Sequence, residues 1–333
     1  MSTRSPTLYM LQNTYPLPLL CNPLYDVVRE ESSRWLEAFS LYCSASPRQK
    51  EIFRAAEFEL LIAYCYPTAD HEALRTICDW CNAAFLVDDI TDEQSGQDAA
   101  KTMQEYLDGL AGVQRVASDV YKMFYEFGPK AFKRFLASSY RTTAATALEA
   151  KRREENRILA FDEYVEQRRH TSGVTPCLDF IEYVFNFELP EDIVNHTSFR
   201  TLYDFTTDIV AWTNVGLGVT QAKEHGNTSV NTNILTVIMN EKHVELEEAM
   251  ELATGLLESR LSDLGRAKGV LLSLPLDGTT RAHLRQYIFG HECWLVGNEG
   301  WHLQSGRYKA DRDKVNDAYT GQEQENKLDC SKQ

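Results

Sequence analysis

Apolar side chains recur at the 3.6-residue spacing of an α-helix along most of this 333-residue sequence, and this period constrains the fold more than any other feature. Alternating apolar and polar residues, the pattern of a half-buried β-strand, are missing from the sequence. Glycine-rich turns of the kind that join a strand to a phosphate-binding helix are missing as well. No internal repeat or low-complexity linker divides the chain. The sequence therefore predicts one all-α domain.

The predicted helices are bounded by prolines, caps and one break. Pro67 closes the second helix, Asp70 is placed to cap the third, and a break is expected at Ser172 and Gly173. The predicted helical segments are 23–44, 47–67, 70–93, 129–156, 161–170, 175–187, 197–218, 244–264 and 279–306.

The two ends of the chain are expected to lie outside the helical domain. Residues 1–20 form an N-terminal segment, residues 21–310 the domain, and the polar residues 311–333 a disordered tail. No apolar run approaches the roughly 18 residues of a membrane-spanning helix, and the N-terminus lacks the apolar region of a signal peptide. We expect a cytoplasmic protein with no membrane span.

Net charge restricts the possible binding partners, and the cysteine spacing bears on the state of the thiols. The net charge of −15 and the pI of about 5.0 argue against a nucleic-acid partner and against docking on anionic lipid. An anionic small substrate stays compatible with this charge, because bound metal ions reverse the local field. Cys78 and Cys81 are three residues apart within a helical pattern, so buried thiols are expected, with a redox or zinc pair as the alternative.

A cluster of carboxylates follows the apolar face of the third predicted helix, in the stretch FLVDDITDE. Asp88 and Asp92 are four residues apart and share one helix face, where like charges repel. Negative charge at a helix C-terminus also opposes the helix dipole. A divalent cation offsets both effects, and hard oxygen ligands favour Mg²⁺. A solvated helix end is the alternative interpretation.

This stretch, behind a core helix containing DWCNAAF, resembles the aspartate-rich motif of class I terpene synthases, in the version typical of mushroom-type fungal sesquiterpene synthases. The resemblance implies a single helical bundle around a central apolar cavity. It implies that Asp88 binds magnesium bridging to the substrate diphosphate. Asp92 is a further metal ligand candidate, and Asp89 and Glu93 are supporting candidates.

The segment DEYVEQRRHTSG resembles the part of these enzymes where an arginine senses diphosphate just before a helix break. Arg169 lies four residues before Gly173, which is the spacing of the family. The resemblance implies that Arg169 binds diphosphate and that the break at Gly173 directs a backbone carbonyl dipole towards the leaving group and the new cation. Arg168 is the adjacent alternative, and an exposed surface turn is another.

The stretch GNEGWHLQSGRY resembles the C-terminal arginine–tyrosine pair of the family. The resemblance implies that Arg307 contacts the diphosphate in a bidentate, charge-assisted manner and that Tyr308 donates a hydrogen bond to it.

Aromatic rings are expected to line the cavity and to stabilise cations through their faces. Phe85, one turn before Asp88, and Trp301, two turns before Arg307, are the preferred candidates. Phe180 and Trp212 are weaker candidates. Packing in the hydrophobic core is the alternative for each ring.

The second metal motif of the family departs from its pattern here. The family places asparagine, serine and glutamate at i, i+4 and i+8, whereas i+4 from Asn214 is Gly218. Counting back from Glu224 gives Thr220, and Lys223 precedes the glutamate as it often does in the family. Asn214, Thr220 and Glu224 are the metal ligand candidates on this side, and Lys223 is a diphosphate contact candidate. No single helical register supplies all three ligands.

The resemblance predicts a Mg²⁺-dependent terpene synthase that ionises an isoprenyl diphosphate and releases diphosphate. Farnesyl diphosphate is the favoured substrate and geranyl diphosphate the second choice; several Mg²⁺ ions are expected, with Mn²⁺ as a substitute. The product is a hydrocarbon or an alcohol. Alternatives are a non-catalytic relative that binds isoprenoid diphosphates, a prenyltransferase and a plain helical interaction protein. A monomer or a homodimer is expected.

Overall fold

The computed structural model describes residues 16–92, 94–112, 128–155, 157–216 and 233–308, and within these ranges it consists of helices and connecting turns with no β-strand. The predicted all-α class is therefore confirmed. The helices are α1 (Tyr25–Glu37), α2 (Ser40–Ser44), α3 (Pro47–Ala56), α4 (Phe58–Cys65), α5 (His71–Asp92), α6 (Gly96–Gly112), α7 (Pro129–Glu154), α8 (Phe161–Thr171), α9 (Val174–Val184), α10 (Glu191–Val194), α11 (Thr197–Gly216), α12 (Ile234–Lys242), α13 (Leu246–Ser273) and α14 (Gly278–Gln304), followed by a short 3₁₀ turn (Gly306–Tyr308).

The first two predicted helices are each split in two, which corrects the sequence prediction. Phe39 has an extended backbone between α1 and α2, and its ring stacks on Trp35 with 5.3 Å between the centroids. Glu57 separates α3 from α4 with a left-handed backbone, at φ 49° and ψ 54°. The indole Nε1 of Trp301 donates to the carbonyl oxygens of Ala56 (2.7 Å) and Glu57 (3.1 Å), so a distant tryptophan adds a donor to the backbone at this break.

The predicted cap and the predicted break are both present. The side chain of Asp70 accepts a hydrogen bond from the backbone N–H of Ala73 at 2.9 Å, at the start of α5. Gly173 separates α8 from α9 with φ of +68°, in the left-handed region that glycine enters without steric cost. The chain direction therefore changes at Gly173, while α8 and α9 both keep packing against α7.

Helix α14 lies at the centre of the bundle and packs on α4 and α11. Its last three turns are buried on almost every side, including Trp294, Leu295 and Trp301. Close approach to α4 requires Gly297, because a Cβ atom at this position would lie 2.8 Å from the carbonyl carbon of Tyr64. This contact fixes the end of α14, and with it the 3₁₀ turn, against the first half of the chain.

Other expectations concern the cysteines, the ends of the chain and the membrane. Cys78 and Cys81 are free and buried, and burial raises the pKa of both thiols, so they behave as ordinary core residues. The expected tail, 311–333, lies outside the described residues, as does most of the expected N-terminal segment, 1–20. Among the described helices, not one combines the length and the apolar character needed to cross a bilayer.

Candidate active site

A cavity lies between α4, α5, α6, α7, the α8–α9 break, α11 and α14. It contains about 870 Å³ of space that protein atoms do not fill, part of it open to solvent. Phe85 and Trp301 line it, as the sequence predicted, and Asp88 lies at its rim. Most of the lining is apolar or aromatic. Asp88 is the single acidic residue among the described residues that line the cavity.

The expected rings Phe85 and Trp301 belong to an aromatic cluster that Arg307 covers. Phe58 stacks on Phe85 with 3.8 Å between centroids, and Trp301 lies 5.8 Å from Phe58 and 6.4 Å from Phe85. The guanidinium carbon of Arg307 lies 5.3 Å from the centroid of Phe58 and 5.6 Å from that of Phe85. Cation–π contacts therefore hold the Arg307 side chain over the wall of the cavity.

The three aspartates of the acidic cluster have different surroundings. Arg307 Nη2 donates to Asp89 Oδ1 at 3.1 Å, and Arg153 Nη1 donates to Asp92 Oδ1 at 3.0 Å. The Asp88 carboxylate lines the cavity and makes no hydrogen bond or ion pair with a described residue. Of the three, Asp88 is the one whose oxygens are left for a ligand inside the cavity.

The electrostatics of Asp88 favour a cation at this rim. Burial and the nearby carboxylates of Asp92 and Asp89 raise the pKa of Asp88 to about 8, and Arg307 opposes this rise. A carboxyl group in this setting holds a proton at neutral pH or shares its charge with a cation. Hard carboxylate oxygens suit Mg²⁺, which binds through one or two carboxylates and completes its shell with water and phosphate oxygens. Asp88 therefore fits the metal that the sequence predicted.

The side chains of the predicted metal ligands in the second motif are not described by the structure. Thr220, Lys223 and Glu224 lie in 217–232, outside the described residues, and Glu93 is also outside them. The backbone of Asn214 belongs to α11, but its side chain is not described. Across the described ranges, no group of three or more histidine, cysteine, aspartate or glutamate side chains could hold a metal ion.

Arg169 has partners other than the expected diphosphate. Its guanidinium makes a two-pronged contact with Asp208, with Nε–Oδ1 and Nη2–Oδ2 distances of 2.7 Å, and a third contact with Asp204 at 3.3 Å. Asp208 is 1% exposed and also accepts from Arg260 Nε at 3.1 Å. Arg169 is not among the residues that line the cavity. It joins α8 to α11 through a buried carboxylate.

Arg168, the alternative to Arg169, lies on the side of α8 that faces the acidic cluster. Its charge lowers the pKa of Glu149 against the larger effect of burial, and Glu149 in turn contributes to the raised pKa of Asp88. The buried Nε of Arg168 has no hydrogen-bond partner among the described residues. Adjacent residues on a helix point about 100° apart, so the two arginines serve different sides of α8.

The remaining predicted residues fall into two groups. Gly173 lines the cavity, and the backbone of Tyr308 belongs to the 3₁₀ turn next to Arg307, but its side chain is not described. Phe180 and Trp212 are 0% and 1% exposed and do not line the cavity. These two weaker candidates are core residues in the structure.

The sequence reasoning missed several residues of the cavity wall. Trp80 and Trp294 both line it, and so does Asn298, whose Nδ2 donates to Thr213 Oγ1 at 3.3 Å. Trp294, Asn298 and Trp301 are spaced i, i+4 and i+7 on one face of α14, which is a signal the sequence does contain. The pattern does not say whether that face meets a core or a cavity.

The fold, the apolar cavity and its acidic rim define a class I terpene synthase. The family model described as terpene synthase family 2, C-terminal metal binding, matches residues 79–263, and the chain belongs to this family. Family membership implies a divalent metal ion and an isoprenyl diphosphate substrate.

Relatives and solved structures agree with this assignment. The chain is 30% identical to viridiflorene synthase of Cyclocybe aegerita, over 88% of this chain and 78% of that protein. It is 31% identical to a Coprinopsis cinerea protein named linoleate 10R-lipoxygenase, over 92% and 89% of the two chains. Germacradien-4-ol synthase from Streptomyces citricolor has the same fold, with a TM-score of 0.75 and 19% identity over 89% of this chain and all of that one. The name of the Coprinopsis cinerea protein denotes a reaction other than terpene synthesis. No histidine is among the described residues that line the cavity of this chain.

Proposed function

We propose that this enzyme ionises farnesyl diphosphate in a Mg²⁺-dependent reaction, releases diphosphate and converts the allylic cation into a terpene hydrocarbon or alcohol. Geranyl diphosphate is the second substrate to test. One observation carries the proposal: the Asp88 carboxylate, which has no hydrogen-bond partner among the described residues, lies at the rim of an aromatic cavity whose wall Arg307 covers. That edge suits a metal–diphosphate group, and the interior suits a hydrocarbon chain.

Three charged side chains are proposed to bind the diphosphate end. Asp88 holds metal, and bound Mg²⁺ would neutralise charge on the leaving diphosphate. Arg307 presents a guanidinium that is already fixed over Phe58 and Phe85, so little side-chain entropy is lost when it binds an anion. Arg168 does not line the cavity, but its charge acts on Glu149 and its buried Nε has no partner among the described residues. Tyr308 is a further proposed contact.

The ionisation step needs no protein nucleophile. The allylic carbon–oxygen bond breaks, and its electron pair leaves with the diphosphate oxygen. The positive donors at the rim stabilise this charge as it develops, which is the largest single contribution in many enzymes. The faces of Phe85, Trp80, Trp294 and Trp301 stabilise the cation that remains in the cavity.

The two metal motifs are proposed on different evidence. The first motif, with Asp88 and Asp92, lies at the acidic rim, where Arg153 forms an ion pair with Asp92. The second motif is proposed from the sequence resemblance alone, with Asn214, Thr220, Lys223 and Glu224 as its candidates. Arg169 is proposed as a positioning residue, because its ion pairs with Asp208 and Asp204 hold α8 in place.

The test is an incubation of the purified enzyme with farnesyl or geranyl diphosphate and Mg²⁺, with products read by gas chromatography–mass spectrometry and diphosphate release measured in parallel. Omission of Mg²⁺ and replacement by Mn²⁺ test the ion. Absence of volatile product from both substrates would refute the proposed reaction.

Arg168→Gln and Arg169→Gln form a matched pair for the role of α8. We expect Arg168→Gln to raise KM for the diphosphate substrate about tenfold with little change in unfolding. Arg169→Gln should lower the melting temperature, because it leaves part of the buried Asp208 carboxylate unpaired. The reverse pattern would return the diphosphate contact to Arg169.

A further inference from the structure

A row of hydroxyl groups runs along one side of the otherwise apolar cavity. Ser139, Thr142, Thr143 and Thr146 all line it. Their positions correspond to i, i+3, i+4 and i+7 on α7, so they share one helix face. Thr171, the last residue of α8, adds another hydroxyl to the lining.

The hydrogen bonds separate these hydroxyls into two kinds. Thr143 Oγ1 donates to carbonyl oxygens of its own helix, at 3.1 Å to Ser139 and 3.0 Å to Tyr140. Ser139 Oγ, Thr142 Oγ1 and Thr171 Oγ1 are fully buried and have no partner among the described residues. Buried hydroxyls are normally hydrogen-bonded, and a water molecule in a polar pocket is a common partner.

Contacts between the helices place the unpartnered hydroxyls on two facing walls of the cavity. Helix α7 runs antiparallel to α8 and α9, since Arg152 donates to Gln167 and Ser138 donates to Asp179. Thr142 lies between these two contacts on α7, as Thr171 does on the opposite wall. Both therefore flank the break at Gly173, well inside the rim formed by the aspartates.

We propose that Ser139, Thr142 and Thr171 bind water inside the cavity, and that this water adds to the terpenyl cation, so that the enzyme forms a terpene alcohol. This inference rests on the proposed function and specifies its product class. The hydroxyls accept and donate hydrogen bonds, so they orient a lone pair of the water oxygen towards the cation. Because they are weak bases, they do not take up the proton.

The addition step balances with the species already present. The water oxygen supplies the electron pair of the new carbon–oxygen bond, and the cationic carbon accepts it. One water proton then passes to the released diphosphate, which is basic enough to hold it. Neither oxidation nor reduction occurs. The competing outcome is loss of a proton from the cation, which gives a hydrocarbon.

The experiment measures the alcohol fraction of the product per diphosphate released. The wild-type enzyme with Mg²⁺ and farnesyl diphosphate is incubated in ¹⁸O-labelled water, and the variant carrying Ser139→Ala and Thr142→Val is compared with it. We expect a labelled alcohol as the main wild-type product, and a fall of about tenfold in the alcohol-to-hydrocarbon ratio in the variant, the effect of losing a hydrogen bond or two. Thr143→Val is the matched control and should keep the wild-type ratio, because its hydroxyl is already bonded to the helix.

The outcomes separate this inference from the proposed function. Diphosphate release with only hydrocarbon products overturns the water site and leaves the terpene synthase reaction standing. Failure of the wild-type enzyme to release diphosphate refutes both. An unchanged ratio in the double variant, or an equal fall in Thr143→Val, also overturns the water site. If the double variant does not fold, Ser139→Ala alone provides the same comparison.

Discussion

Substitution of alanine for Gly173 tests whether backbone conformation, rather than space, holds the helix break at the cavity. The residue has φ of +68°, and a Cβ atom added there would meet no heavy atom within 4 Å. Any loss of stability in Gly173→Ala must therefore come from the left-handed backbone and not from a clash. The new methyl group would project into the cavity, since Gly173 lines it.

The change in unfolding free energy expected for Gly173→Ala follows from two opposing effects. A left-handed backbone costs an L-residue about 1–2 kcal/mol. Replacement of glycine also restricts the unfolded chain, which returns about 0.4–1 kcal/mol. The net loss is about 1 kcal/mol. With an unfolding entropy of roughly 2.1 cal/mol/K per residue, a chain of this length changes its melting temperature by about 1.4 °C for each kcal/mol.

Gly255→Ala is the matched control for this change. Gly255 is exposed within α13, and a Cβ atom there would also meet nothing within 4 Å. Its backbone is helical, so alanine should stabilise the protein by roughly 0.5–1 kcal/mol. Thermal unfolding and urea titration of the two variants should therefore shift in opposite directions. If Gly173→Ala is stabilised as Gly255→Ala is, the backbone explanation of the break is wrong.

Further predictions concern the acidic rim, its arginine and a buried histidine. Because the pKa of Asp88 is raised to about 8, the metal-free protein should lose stability as pH rises from about 4 to 8. Urea titrations with chelator should show that Asp88→Asn removes the part of this loss that comes from Asp88. The same variant should lower product formation on the order of a hundredfold. Arg307→Lys keeps the charge but loses the flat contact with the Phe58 and Phe85 rings, so KM should rise about tenfold in steady-state assays. Burial lowers the pKa of His291 to about 3, so the stability advantage of wild type over His291→Gln should shrink as pH falls below about 6.5, measured as the difference in unfolding free energy.

Local patterns in the sequence were sufficient to predict the helix break and the acidic cluster. A glycine after an amphipathic segment, and aspartates four apart at the end of another, determine local geometry without help from the rest of the chain. The division at Glu57 could not be predicted in this way. It involves Trp301, more than 240 residues later, whose indole donates to the carbonyl groups of Ala56 and Glu57.

The cavity wall was predicted in part for a related reason. Helical spacing places Phe85, Trp80 and Trp294 on buried faces, but burial alone does not distinguish a core from a cavity. Phe180 has the same kind of pattern and lies in the core at 0% exposure. The difference depends on which helices meet around the empty space, and no local spacing contains that information.

The choice between Arg168 and Arg169 depends on helix rotation. Spacing from Gly173 selects Arg169, but the direction of each side chain depends on how α8 is turned about its axis. The buried Asp208 of α11 sets that turn, because it binds Arg169 with both oxygens and is shared with Arg260. With Arg169 held there, its neighbour necessarily points about 100° away, towards Glu149 and the acidic rim. Arg169 thus fixes the orientation of the helix, and the proposed diphosphate contact of Arg168 depends on that orientation.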